Sequence, residues 1–125
     1  MTHLVLAVDF DNTICYPKWP AIGEPVTTAI ETMRQWHTDG HKLVVWTCRA
    51  GPELEACRKW LDAHGVPYDT LNENLSERIA LYGSDTRKVS ADLYIDDRAV
   101  GAPDDPMELW ALAREKVARL ANRPP

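Results

Sequence analysis

Two acidic motifs, Asp9-Phe10-Asp11-Asn12-Thr13 and Asp96-Asp97, each stand directly after a run of apolar residues. The first follows Leu4-Val5-Leu6-Ala7-Val8 and the second follows Leu93-Tyr94-Ile95. Short apolar runs bounded by turn residues read as buried strands of a parallel sheet. In an extended chain, side chains at i and i+2 point the same way, so Asp9 and Asp11 leave their strand tip as a pair. Carboxylates that close repel each other unless a cation or a shared proton lies between them. Such a tip suits a metal ion, a phosphoryl group or both. Asp11, Asn12 and Thr13 are also ordinary turn formers, but turn chemistry does not account for two strands that both end in paired acids.

Candidate counter-charges fall in matching places. Thr47 and Arg49 follow a third apolar run, Leu43-Val44-Val45-Trp46, and Lys88 precedes the Asp96-Asp97 strand. A hydroxyl, a lysine and clustered carboxylates are the components of phosphoryl transfer around a hard cation. With oxygen as the only ligand type, that cation is expected to be Mg²⁺. Asp9, Asp11, Asp96 and Asp97 are balanced in charge by a divalent ion together with Lys88 and Arg49. Arg49 is expected to contact a substrate phosphate, with a surface salt bridge as the plainer alternative. Arg98 is expected to brace Asp97 or a helix end. Tyr16, Lys18 and Trp19 sit in a loop next to Asp9, either as a flap over substrate or as a packed loop.

These residues need elements to hold them, and the pattern supplies alternating strands and helices. Pro25 is expected to open a helix with Val26, Ala29, Ile30, Met33 and Trp36 or His37 facing in. Gly40 ends it. Pro52 opens a second helix with Leu54, Cys57 and Leu61 inward. A short strand at Tyr68–Leu71 and a brief helix carrying Leu75, Ile79 and Tyr82 come next. After the Asp-Asp strand, Asp105-Pro106 caps a last helix with Met107, Trp110, Val117 and Leu120 inward. Residues 122–125 read as a frayed tail. The expected class is therefore α/β, a three-layer Rossmann-like fold with a central parallel sheet and right-handed crossovers. Folds of this kind bind ligands beyond the carboxyl ends of their strands, where both acidic motifs lie.

At 125 residues the chain reads as one domain, able to bury roughly two-thirds of its unfolded surface. A net charge of −5 argues against holding nucleic acid by its phosphates. No apolar run approaches the roughly 20 residues of a membrane span. The first three residues run straight into a strand, which leaves no signal peptide. Three cysteines, an odd number without metal-knuckle spacing, fit a reducing cytoplasm. The histidines are not paired with them, so zinc is not expected.

The four motifs in order, Asp9–Thr13, Leu43–Thr47, Lys88 and Tyr94–Asp97, resemble those of the haloacid dehalogenase-like superfamily of phosphohydrolases. The likeness covers nearly the whole chain and looks greatest to small members without a cap domain, because neither gap between motifs has room for one. It implies that Asp9 is a nucleophile forming an aspartyl-phosphate. Asp11 would be the acid and then the base, with its backbone carbonyl on Mg²⁺. Thr47 would bond the transferring phosphoryl, and Lys88 would offset charge on it. Strand alternation sends neighbouring side chains to opposite faces, so only one of Asp96 and Asp97 is expected at the metal. The resemblance assigns Asp97 there and Asp96 to Lys88 or a metal-bound water. The expected substrate is a phosphomonoester or the exposed phosphate of a larger molecule, in an open site that a second subunit could enclose. Rival readings are a receiver-like module that stores an aspartyl-phosphate, and a phosphatase of nucleic-acid ends.

Overall fold

The computed structural model describes residues 1–124. The order is β1 (Val5–Val8), α1 (Thr27–Thr38), β2 (Lys42–Val45), α2 (Gly51–Ala63), β3 (Thr70–Leu71), α3 (Ser76–Tyr82), β4 (Leu93–Ile95) and α4 (Pro106–Ala121). The strands form one sheet in the order β3-β2-β1-β4, and every pairing is parallel. The chain is α/β, as its alternating pattern predicts.

The two faces of the sheet are covered unequally. Leu6 and Val8 of β1 point with Leu43 and Val45 of β2 into the main core, where α1, α2 and α4 contribute Met33, Leu61, Trp110 and Val117. The alternate residues Val5, Ala7 and Val44 face a smaller cluster closed by Leu75 and Val89. α3 buries no residue of its own. The thin cover is held by Asn74, only 4% exposed. Its side-chain amide donates to the Asp85 carboxylate and the Thr86 carbonyl, and its Oδ1 accepts from Ser90 N–H.

The order of strands places the functional edge. β1, β2 and β3 step one way across the sheet, and β4 returns to the other side of β1. The reversal lies between β1 and β4, where an open α/β sheet leaves a crevice beyond its strand ends. Val8 is level with Val45 and with Ile95. The residues that follow these three therefore emerge at one edge.

Several local expectations shift. α1 starts at Thr27, after an uncapped Val26, because Pro25 instead bridges to Cys15. Trp36, and not His37, completes its buried face. Met107 does not face in; it is 45% exposed, and Leu109 and Ala113 join Trp110 and Val117 inside. Tyr82 is also exposed. In the tail, Asn122 and Arg123 still donate to helix carbonyls and Thr2 donates to the Arg123 carbonyl, while Pro125 lies outside the described residues. No helix among the described residues is long and apolar enough to cross a membrane.

Candidate active site

β1 ends at Val8, and the next three residues carry the alternation one step further. Phe10 is fully buried, and Asp9 and Asp11 on either side of it face the cleft. The Phe10 carbonyl then accepts from the N–H groups of Thr13, Ile14 and Cys15, which turns the chain away from the sheet. Asn12 takes the left-handed conformation this turn requires, with φ of 56°. That is a position where Asn is tolerated better than most residues. The turn-forming reading of the motif is thus seen in the backbone, and the same turn leaves both acids at the cleft. Thr13 is buried and donates its hydroxyl to Asp9 Oδ2 at 3.2 Å.

β4 delivers the second pair. Asp9, Asp96 and Asp97 each present an oxygen within 4.8 Å of the others. Both Asp96 and Asp97 therefore reach this corner, although strand alternation would send neighbours to opposite faces. The strand ends at Ile95 and the chain turns at once, with Arg98 N–H donating to Asp96 Oδ1 at 2.9 Å, so strand alternation no longer applies. Asn12 Nδ2 donates to Asp97 Oδ2 at 3.2 Å and ties the two motifs together.

The electrostatics follow from this crowding. Burial above all, then a hydrogen bond with Asp97 and the charges of Asp96 and Asp97, push the Asp9 carboxyl from an ordinary 3.8 up to about 8. Three carboxyl groups in a half-buried corner need a cation or a shared proton between them. An octahedral ion with ligands near 2.1 Å spaces their oxygens roughly 3 to 4 Å apart, so this all-oxygen set could hold a small divalent cation. Asp11 contributes no carboxylate to the cluster.

Arg49 claims Asp11 instead. Its Nε donates to Asp11 Oδ2 at 2.9 Å and its Nη2 to Oδ1 at 2.7 Å, a bidentate pair. The arginine is 2% exposed, and it also donates to the carbonyls of Pro20 and Ala21. The salt bridge weighed as the alternative for Arg49 is thus present, but buried beside the cleft and not at the surface. Thr47 sits at the lip of the cleft. Its N–H is taken by Asn72 Oδ1 and its Oγ1 accepts from Arg49 N–H, which leaves the hydroxyl hydrogen free to donate.

Lys88 does not line the cleft. Its Nζ stands 5.2 Å from the centre of the Tyr94 ring, two positions before Asp96. The cations that line the cleft are Arg98 and the buried Arg49. Cys48 is exposed beside Thr47, whereas Cys15 and Cys57 are buried. The cleft holds about 500 Å³, and Pro17 and Trp19 of the loop after the first motif form one side. A second cavity of about 410 Å³ opens between α1 and α4 at the other end of the strands, with no such group of acids.

Sequence reasoning passed over Asn12, Thr13, Asn72 and Asn74 as side-chain partners. Asn72 has φ of 58°, so an Asn directly after a short apolar strand was the available signal. It does not say whose backbone the amide will hold.

Two solved structures resemble this one. A conserved protein from Bacteroides thetaiotaomicron superposes with a TM-score of 0.77 at 32% identity, over 98% of this chain and 100% of that one. This chain therefore belongs to the same family as that protein. A target protein from Vibrio cholerae matches with a TM-score of 0.55 at 26% identity, over 93% of this chain and 94% of that one. No protein-family model matches the chain, and no curated protein does.

Proposed function

We propose that the protein is a Mg²⁺-dependent phosphomonoesterase of the haloacid dehalogenase-like type, working through an aspartyl-phosphate on Asp9. The observation that carries this reading is the meeting of Asp9, Asp96 and Asp97 at the reversal of strand order. A divalent cation held there by Asp9, Asp97 and Asp96, with the Asp11 carbonyl, would offset the charge of the acids and of a phosphate dianion.

An Asp9 carboxylate oxygen attacks phosphorus, and the bond from phosphorus to the ester oxygen breaks. The departing oxygen takes a proton from Asp11. Water then attacks the aspartyl-phosphate, gives its proton to Asp11, and phosphate leaves as Asp9 is restored. The free Thr47 hydroxyl donates to a phosphoryl oxygen, and the Thr13 hydroxyl holds Asp9 Oδ2 so that its other oxygen is presented. Lys88 and Arg98 supply positive charge from the β4 side. Both Asp11 oxygens accept from Arg49, so each proton transfer accompanies the loosening of one of those bonds.

Asp9→Asn should abolish Mg²⁺-dependent release of phosphate from a generic phosphomonoester while leaving the circular dichroism spectrum unchanged. Full activity in that variant would sink the mechanism. The bidentate hold on Asp11 favours, as a second reading, a module that forms an aspartyl-phosphate and stores it. Steady release of many phosphates per protein excludes that alternative.

A further inference from the structure

Arg49 is a costly residue to bury. An unpaired guanidinium out of water is strongly unfavourable, so its position must be defined by its partners. Four donor contacts define it, and they divide equally between two structures: the Asp11 carboxylate, and the Pro20 and Ala21 carbonyls of the loop 16–24. The guanidinium also lies between two rings, with Phe10 at 5.4 Å and Trp19 at 4.8 Å.

Each side of this arrangement is anchored separately. The Arg49 backbone belongs to the edge of the sheet, donating to Thr47 Oγ1 and accepting from Asn72 Nδ2. The loop is pinched at its base, where Tyr16 N–H donates to the Glu24 carbonyl at 2.8 Å. Gly23 permits that pinch, since a Cβ there would stand 2.1 Å from the Tyr16 oxygen. Beyond the base, Ile22 packs against the main core, and the crown carrying Lys18 and Trp19 is hydrogen-bonded to the rest of the protein through the Arg49 side chain. Trp19, at 63% exposure, covers that side chain and edges the cleft.

The geometry points to Arg49 as a positioning residue that makes closure of the loop and orientation of Asp11 a single event. The inference rests on the reading of Asp11 as the proton carrier, and deepens it. When the crown lifts, the guanidinium loses two carbonyls and its ring cover, and water reaches the pair that aims Asp11. When Asp11 is altered, the guanidinium loses its carboxylate and releases the crown. A lysine cannot replace this residue, because an ammonium is a point charge without the planar fork.

Reciprocity gives the test. Lys18 lies in the crown, so trypsin cleavage after Lys18 in the native full-length protein reports loop opening. Asp11→Asn, which leaves the residues of the crown unchanged, should speed the cut roughly tenfold, as expected when a charge-assisted pair is weakened. Arg49→Lys should do the same. On an alkyl phosphate, Arg49→Lys should lower kcat by roughly 10²-fold, the cost of a misplaced group, with KM changed less than threefold. Added to Asp11→Asn it should lower kcat no more than about twofold further, because both substitutions break one device. Unchanged cleavage after Lys18 in Asp11→Asn, or kcat losses that multiply in full, would overturn the coupling. Should Arg49→Lys fail to fold, the cleavage rate in Asp11→Asn decides by itself. A wild-type protein inactive on every phosphomonoester sinks the phosphohydrolase reading, and the cleavage experiment still decides the coupling.

Discussion

Asp9 is where burial and charge conflict most directly. Its carboxyl is raised to about 8 by burial and by Asp97 and Asp96, while an unfolded chain would lose that proton near pH 4. Between those values the folded, metal-free protein holds a proton that the unfolded chain has given up. The contribution of Asp9 to stability then falls as pH rises from about 4 to about 8, while buried His41, its pKa lowered by burial, contributes in the opposite sense. Asp9→Asn removes the charge and keeps the shape, so at pH 8 without metal it should melt several degrees above wild type, at about 1.4 kcal/mol per pKa unit. Mg²⁺ should raise the wild-type melting temperature at pH 8 and leave Asp9→Asn nearly unmoved. Thermal melts at pH 5 and pH 8, with and without Mg²⁺, check both. A change in melting temperature from pH 5 to pH 8 without metal that is the same in wild type and in Asp9→Asn would contradict the argument.

Elements decide which residue types reach the cluster. β1 and β4 carry three acids to one corner because their ends are level, and the immediate turn after Ile95 lets Asp96 and Asp97 serve together. The segment before β4 lies mostly at the surface up to Lys88, and Val89 is buried. Its cover over the sheet depends on Asn74, and Lys88 stands exposed over Tyr94 instead of in the cleft. Tyr94 is two residues before Asp96, which puts the lysine on the β4 side of the acids. Lys88→Ala should therefore lower kcat roughly 10²-fold, as for the loss of an electrostatic stabiliser, in steady-state assays on one phosphomonoester. A wild-type rate would pass the cationic role to Arg98, which already lines the cleft.

At the scale of the molecule, the last helix supports the first motif. Trp110 of α4 is fully buried, packs against Trp36 of α1, and donates its indole N–H to the Thr13 carbonyl at 2.8 Å. Thr13 in turn holds Asp9. Trp110→Phe keeps much of the apolar volume and leaves that buried carbonyl without its donor. It should destabilise by about 1–3 kcal/mol, read from the midpoint of urea unfolding. A shift below about 0.5 kcal/mol would mean that the turn at Phe10 stands without α4.

Much of this protein was legible in one dimension. Apolar runs of strand length alternating with helix-period stripes specify a parallel α/β sheet, because period and burial are local properties of the chain. The acids at strand ends were equally plain, since a carboxylate after an apolar run has few structural reasons to be there. Partnership was not legible. Arg49 could be placed at the right edge of the sheet, yet its choice of Asp11 and two loop carbonyls depends on how the loop 16–24 folds back. Asp96 and Asp97 meet Asp9 together because the chain turns immediately after β4. Those outcomes depend on distances between residues far apart in sequence, and only the folded chain brings such residues within hydrogen-bond range.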